Sequence, residues 1–156
     1  MSETAATHST NGHAVSSDPV DVVRSFLLAF QDGRLDDALA LVDDDIVYTN
    51  VSLPTIRGRA QLTRGLRLWE RSGARFRVHF HAIAREGSIV LTDRSDAIGL
   101  GPVEQRFWVY GRFEVRDGKI TLWRDSFDWL DITVSLLRGI AGAISPRLNR
   151  RWPGDA

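Results

Sequence analysis

The chain has 156 residues, 43% of them apolar and 26% charged, and its 20 Lys and Arg balance 20 Asp and Glu. Such a length and composition describe one soluble globular domain with enough apolar surface to fold without covalent staples. The balanced charge argues against a nucleic-acid binder, and the absence of cysteine excludes disulfides, thiolate metal sites and a cysteine nucleophile.

Residues 1–17 are Ser, Thr, Ala, Asn and His without a period and read as a disordered tail. His8 and His13 lie there with no other ligand nearby in sequence, so no metal site is expected. No basic stretch followed by an apolar run opens the chain. The longest apolar segment, 132–144, contains Arg138 and is too short to span a bilayer. A cytoplasmic protein without a membrane span is expected, in keeping with the lack of cysteine.

Asp18-Pro19 starts a helix as N-cap and first helical residue, and Val22, Val23, Phe26, Leu27 and Phe30 continue it at helical spacing. A second helix is expected over 35–42 and a strand over 46–51, followed by a loop marked by Pro54 and Gly58. Residues 60–71 look helical, with Leu62, Leu66 and Trp69 on one face. From Ala74 the period becomes two: Phe76, Val78, Phe80 and Ala82 alternate with Arg75, Arg77, His79 and His81. The two histidines therefore read as part of a solvated basic face, not as metal ligands. Strands are expected over 89–98, 105–115 and 119–129, the last two joined by an Asp117-Gly118 hairpin. A closing helix over 132–144 stops at Pro146. Helices first and consecutive strands after them form an α+β pattern, with a curved mixed or antiparallel sheet packed on the N-terminal helices. Residues 18–145 are read as one domain and 146–156 as a polar C-terminal tail.

Alternation on the last strand puts Trp123, Asp125, Phe127 and Trp129 on one face. An unpaired carboxylate on so apolar a face is costly, so Asp125 is either tied down for structure or used. Tyr48 and Asn50 share a face of their strand, as do Arg94 and Asp96 of theirs. Taken alone, Arg94 and Asp96 read equally as an exposed ion pair of little energetic worth. If the three faces converge, the set becomes an acid–base site in an apolar pocket. No nucleophile elbow, phosphate loop or dinucleotide fingerprint competes with it.

Tyr48-Thr-Asn50, Arg94-Ser-Asp96 and Trp123-Arg-Asp125-Ser-Phe-Asp128, in this order, resemble the limonene-1,2-epoxide hydrolase family within the nuclear-transport-factor-2-like (NTF2-like, SnoaL-like) fold. The resemblance runs from about Asp18 to Leu130. It implies Asp125 as general base on water, Tyr48 and Asn50 holding that water, Asp96 as general acid toward the epoxide oxygen, and Arg94 bridging the carboxylates. It also implies a pocket lined by Leu27, Phe30, Trp69, Ile98, Phe107, Val109 and Trp123, no metal or cofactor, and a homodimer. The bulky Phe30, Trp69 and Phe107 suggest a large lipophilic epoxide, terpenoid or steroidal. The same fold also hosts ketosteroid-isomerase-like and polyketide-cyclase-like enzymes and non-catalytic binding modules, which stand as alternatives.

Overall fold

The computed structural model describes residues 18–153, so the expected tail at 1–17, with His8 and His13, lies outside the described residues. Asp18 caps the first helix, α1 (Pro19–Gln31), by accepting a hydrogen bond from the Val20 N–H at 2.8 Å. The second helix, α2, is shorter than its apolar spacing suggests (Leu35–Ala40), and Val42 begins strand β1 (Val42–Asn50). The reason is a register shift between Val42 and Val47. It buries Val42 and Ile46 together, four residues apart, which mimics a helical pattern. A short β2 (Ile56–Arg57), in what reads as loop, pairs with β1 ahead of α3 (Arg59–Arg71).

Four longer strands follow: β3 (Arg75–Glu86), β4 (Ile89–Leu100), β5 (Val103–Arg116) and β6 (Lys119–Ser126). Asp117 and Gly118 join the last two with φ of 49° and 71°, the left-handed pair that a two-residue hairpin turn requires. The six-stranded sheet has the order β2-β1-β6-β5-β4-β3. Only β1 and β6 run parallel; every other pair is antiparallel, so the sheet is mixed.

Two strand expectations need correction. A bulge between Phe80 and Ala82 breaks the alternation of β3, so Ala82 is exposed and Ile83 packs against the core in its place. Strand β6 ends at Ser126, and Trp129 starts helix α4 (Trp129–Ile144), capped by Asp128 accepting from the Asp131 N–H. Because β6 stops opposite Tyr110, the first part of β5 has no strand beside it on that side. Helix α4 covers this edge: Asp131 accepts from the Trp108 N–H, and Ser135 and Gly139 are buried.

The segment read as a polar tail is tied to the same edge. After a 3-10 turn at Pro146–Leu148, Asn149 donates to the Glu104 carbonyl and Arg150 pairs with Asp131. Trp152 is buried, with the Arg77 guanidinium 4.5 Å over its ring and His79 beside it. The basic face of β3 is therefore partly covered at Arg77 and His79, while His81 remains exposed. The main core lies between α1 and the opposite sheet face, built from Val22, Val23, Phe26, Leu27, Val90, Phe113, Ile120 and Trp123 among others. No helix among the described residues is long and apolar enough to cross a membrane.

Candidate active site

The strand register brings the three polar pairs together. Parallel pairing sets Tyr48 beside Trp123 and Asn50 beside Asp125. Across β5, Thr92 and Asp125 both stand opposite Gly111, while Arg94 stands opposite Val109 and Asp96 opposite Phe107. Both carboxylates are buried, Asp96 4% and Asp125 6% exposed, and Arg94 is 0% exposed.

Arg94 holds these groups in one network. Its Nε donates to Asp96 Oδ1 at 2.9 Å and Oδ2 at 3.2 Å, its Nη1 to Thr92 Oγ1 at 3.0 Å, and its Nη2 to Asp125 Oδ2 at 2.7 Å. A planar guanidinium suits this role, because its fixed fork reaches two carboxylates at once. Burial alone would lower the Arg94 pKa, yet the charges of Asp125 and Asp96 raise it overall. The arginine is thus a permanent cation beneath the carboxylates.

The two acids are not equivalent. Burial pushes the Asp96 carboxyl up to about 6, with Arg94 pulling it down and the Asp125 charge adding to the rise. Asp125 keeps Oδ1 free of any protein hydrogen bond although the atom is buried. Buried polar atoms are nearly always paired, so an unpaired carboxylate oxygen here marks a place for an incoming donor. Trp123 Nε1 is likewise buried without a partner. Asn50 Nδ2 donates to Tyr48 Oη at 2.7 Å, which leaves the phenol proton free to donate elsewhere. Burial, and next the Asp125 charge, push Tyr48 up to about 12, so it remains a neutral donor.

These groups border a cavity of about 290 Å³. Tyr48, Asn50, Asp96 and Asp125 line it, together with Phe30, Trp69, Ile98, Phe107, Val109 and Trp123. Arg94 lies below the lining and touches both acids from behind. Leu27 differs from expectation: it is fully buried in the core and does not reach the cavity. Its helical stripe turns only Phe30, at its end, toward the opening. Leu66, Phe76, Gln105, Phe127, Trp129 and Ile132 complete the wall. Of these, Phe127 and Trp129 had a sequence signal in their shared alternation with Asp125. Trp129 arrives there from the first turn of α4 instead of from a strand. No group of three or more potential metal ligands occurs among the described residues.

Thr92 and Gly111 complete the site and escape sequence reading. Gly111 sits where the Arg94 side chain crosses β5 toward Asp125. A Cβ there would collide with Arg94 Nη1 and stand 2.5 Å from Thr92 Oγ1. Its signal in the sequence is a glycine in mid-strand, which often marks a close approach. Gly111→Ala is expected to dislodge the guanidinium, lowering kcat at least about tenfold and stability by about 1–3 kcal/mol. Steady-state kinetics beside a melting curve check this, and undiminished kcat would show that the crossing is not needed.

An α+β fold with a mixed sheet, α1 on one face and buried carboxylates lining a largely apolar cavity is the NTF2-like class of protein. An NTF2-like protein from Burkholderia xenovorans LB400, 20% identical with a TM-score of 0.60, covers 76% of this chain and 95% of its own and shares the fold alone. Within that class the chain belongs to the limonene-1,2-epoxide hydrolase family, whose catalytic domain it matches over residues 17–138. It is 46% identical over 127 residues to epoxide hydrolase EphG of Mycobacterium tuberculosis, covering 81% of this chain and 84% of that relative. A solved LEH-like epoxide hydrolase from M. tuberculosis has a TM-score of 0.82 at 41% identity, over 86% of this chain and 95% of that one.

Proposed function

We propose that this cavity hydrolyses a lipophilic epoxide to a vicinal diol by direct attack of water. Epoxide hydrolase activity is the family's chemistry, and the chain is an enzyme of this type. The observation that carries the finer reading is the asymmetric pair: one guanidinium anchors both acids, Asp96 is shifted toward its protonated form, and Asp125 has an unpaired buried oxygen.

The reaction follows from that asymmetry. Tyr48 and Asn50 hold a water against Asp125 Oδ1. Asp125 takes one proton as the water oxygen bonds to an epoxide carbon. The strained C–O bond breaks, and Asp96 delivers its proton to the departing oxygen, giving the diol. Asp125 is then protonated and Asp96 ionised, and a proton returns between them or through solvent to restore the starting state. Arg94 balances the pair's negative charge throughout, and the apolar wall keeps stray water out. Ring strain supplies part of the driving force, so no covalent intermediate is required.

The walls of Phe30, Trp69, Phe107 and Trp123 favour a bulky apolar substrate over a small polar one. A homodimer in the cytoplasm belongs to the same reading. The exposed apolar side of α4, with Leu130, Leu137 and Ile144, supports the dimer, and the lack of cysteine supports the compartment.

The test is a panel of lipophilic epoxides of graded size, incubated with excess enzyme in ¹⁸O-water for a single turnover. Diol carrying the heavy oxygen is expected at once. Unlabelled oxygen in the first diol would point to an ester on a carboxylate, and inactivity across the panel would return the site to the isomerase or binding alternatives.

A further inference from the structure

One amide side chain of the cavity has no part in this reaction. Tyr48, Asn50, Asp96 and Asp125 are all engaged in it; Gln105 is not. Gln105 is the next same-face position of β5 beyond Phe107, the partner of Asp96, and it stands opposite Ile98. Phe107, Ile98 and Ile132 make the wall around it apolar. A primary amide in such a wall is costly unless its hydrogen-bonding groups are used.

Half of that amide is used. Gln105 Nε2 donates to the Ile132 carbonyl at 2.9 Å and to Ser135 Oγ at 3.1 Å, both on α4. These contacts also fix which way the amide points. A backbone carbonyl can only accept, so the nitrogen must face Ile132. Ser135 Oγ donates its own proton to the same carbonyl, at 2.9 Å, and so offers Gln105 a lone pair. The amide oxygen is thereby turned away from the helix. Oε1 accepts no hydrogen bond among the described residues.

We propose that Gln105 Oε1 is a specificity-determining acceptor for a hydroxyl carried by the substrate several bonds from the epoxide. The assignment rests on the cavity being the epoxide site proposed above, and it narrows the substrate class to lipophilic epoxides bearing a remote hydroxyl. Asp125 and Asp96 then grip the oxirane at one end while Gln105 fixes the register of the skeleton at the other. A merely structural glutamine, tying α4 to β5, would need its nitrogen but not a free acceptor.

The experiment uses pairs of epoxides that share a carbon skeleton, one member hydroxylated and the other not, with the hydroxyl walked along the skeleton. Values of kcat/KM are measured for the full-length wild type, Gln105→Leu and Ser135→Ala, with folding followed by circular dichroism. At the matching position wild type is expected to prefer the hydroxylated epoxide by about tenfold, the worth of one well-made neutral hydrogen bond. Gln105→Leu loses that preference because its rate falls about tenfold more on the hydroxylated member than on the other. Ser135→Ala loosens the same helix contact but leaves Oε1 in place, and it keeps the preference.

Equal losses on both members in Gln105→Leu would assign the residue to holding α4 and overturn the proposal. So would the absence of any hydroxyl preference in wild type, a result that depends on no variant folding. If wild type opens neither member of any pair, the epoxide-hydrolase reading itself fails and this assignment with it. That outcome is distinct from hydrolysis without preference.

Discussion

Asp125→Asn and Asp96→Asn each reduce epoxide turnover by a factor of about 10²–10⁴ while the protein stays folded. The expectation follows from what each amide retains and what it lacks. At position 125 the amide oxygen can still accept from Arg94 Nη2, which now meets Asp125 Oδ2 at 2.7 Å. The other end becomes an NH₂ group that cannot take a proton from water. At position 96 the amide can accept from Arg94 Nε and even donate a hydrogen bond toward the epoxide oxygen, yet it cannot surrender a proton. Both changes therefore isolate proton transfer from packing, since the side chains are nearly isosteric. Tyr48 is no substitute acid, because burial holds its phenol up to about 12. Diol formation measured beside a melting curve checks the pair. An Asp96→Asn enzyme that keeps most of its activity would remove Asp96 from the acid's role, and the same result at Asp125 would remove the base.

Much of this site was legible in the sequence because its parts are local. Strand alternation alone pairs Tyr48 with Asn50, Arg94 with Asp96 and Trp123 with Asp125. What alternation cannot give is which strands lie side by side. Asn50 meets Asp125 only because β1 runs parallel beside β6, a long-range choice that no short window encodes. Depth along a stripe is equally hidden. Leu27 and Phe30 belong to one apolar helix, yet Leu27 lies in the core and only Phe30 reaches the cavity. Strand and helix also compete at Trp129. Its alternation with Phe127 and Asp125 suggests a continuing strand, but Asp128 caps a helix there and wins. Gln105 gave no signal, because one polar residue in a strand is ordinary until its neighbours are known to be Ile98, Phe107 and Ile132. The resemblance covered the proposed reacting groups and ended near Leu130, in the first turn of α4, short of Ile132 and Ser135, which anchor Gln105.

Replacing the cation should cost stability in a pH-dependent way. Arg94→Gln removes the one positive charge among the described residues that touches both buried carboxylates. Breaking such a pair from one side costs about 3–5 kcal/mol, because the partner charges remain buried without compensation. The folded variant can relieve this by holding a proton on Asp96. In wild type the Asp96 carboxyl already titrates at about 6 in the folded chain, above its ordinary 3.8, with Arg94 holding it down. Without Arg94 it must rise further. The sign follows directly: the folded state then binds more protons than the unfolded state, so stability falls as pH rises. The contribution is fully present below the unfolded carboxylate value and is lost as pH passes through the raised folded one. Urea unfolding of wild type and Arg94→Gln at pH 5 and at pH 8 should show the larger gap at pH 8. A gap independent of pH would mean that the arginine contributes packing alone, and that its charge does not hold the Asp96 carboxyl down.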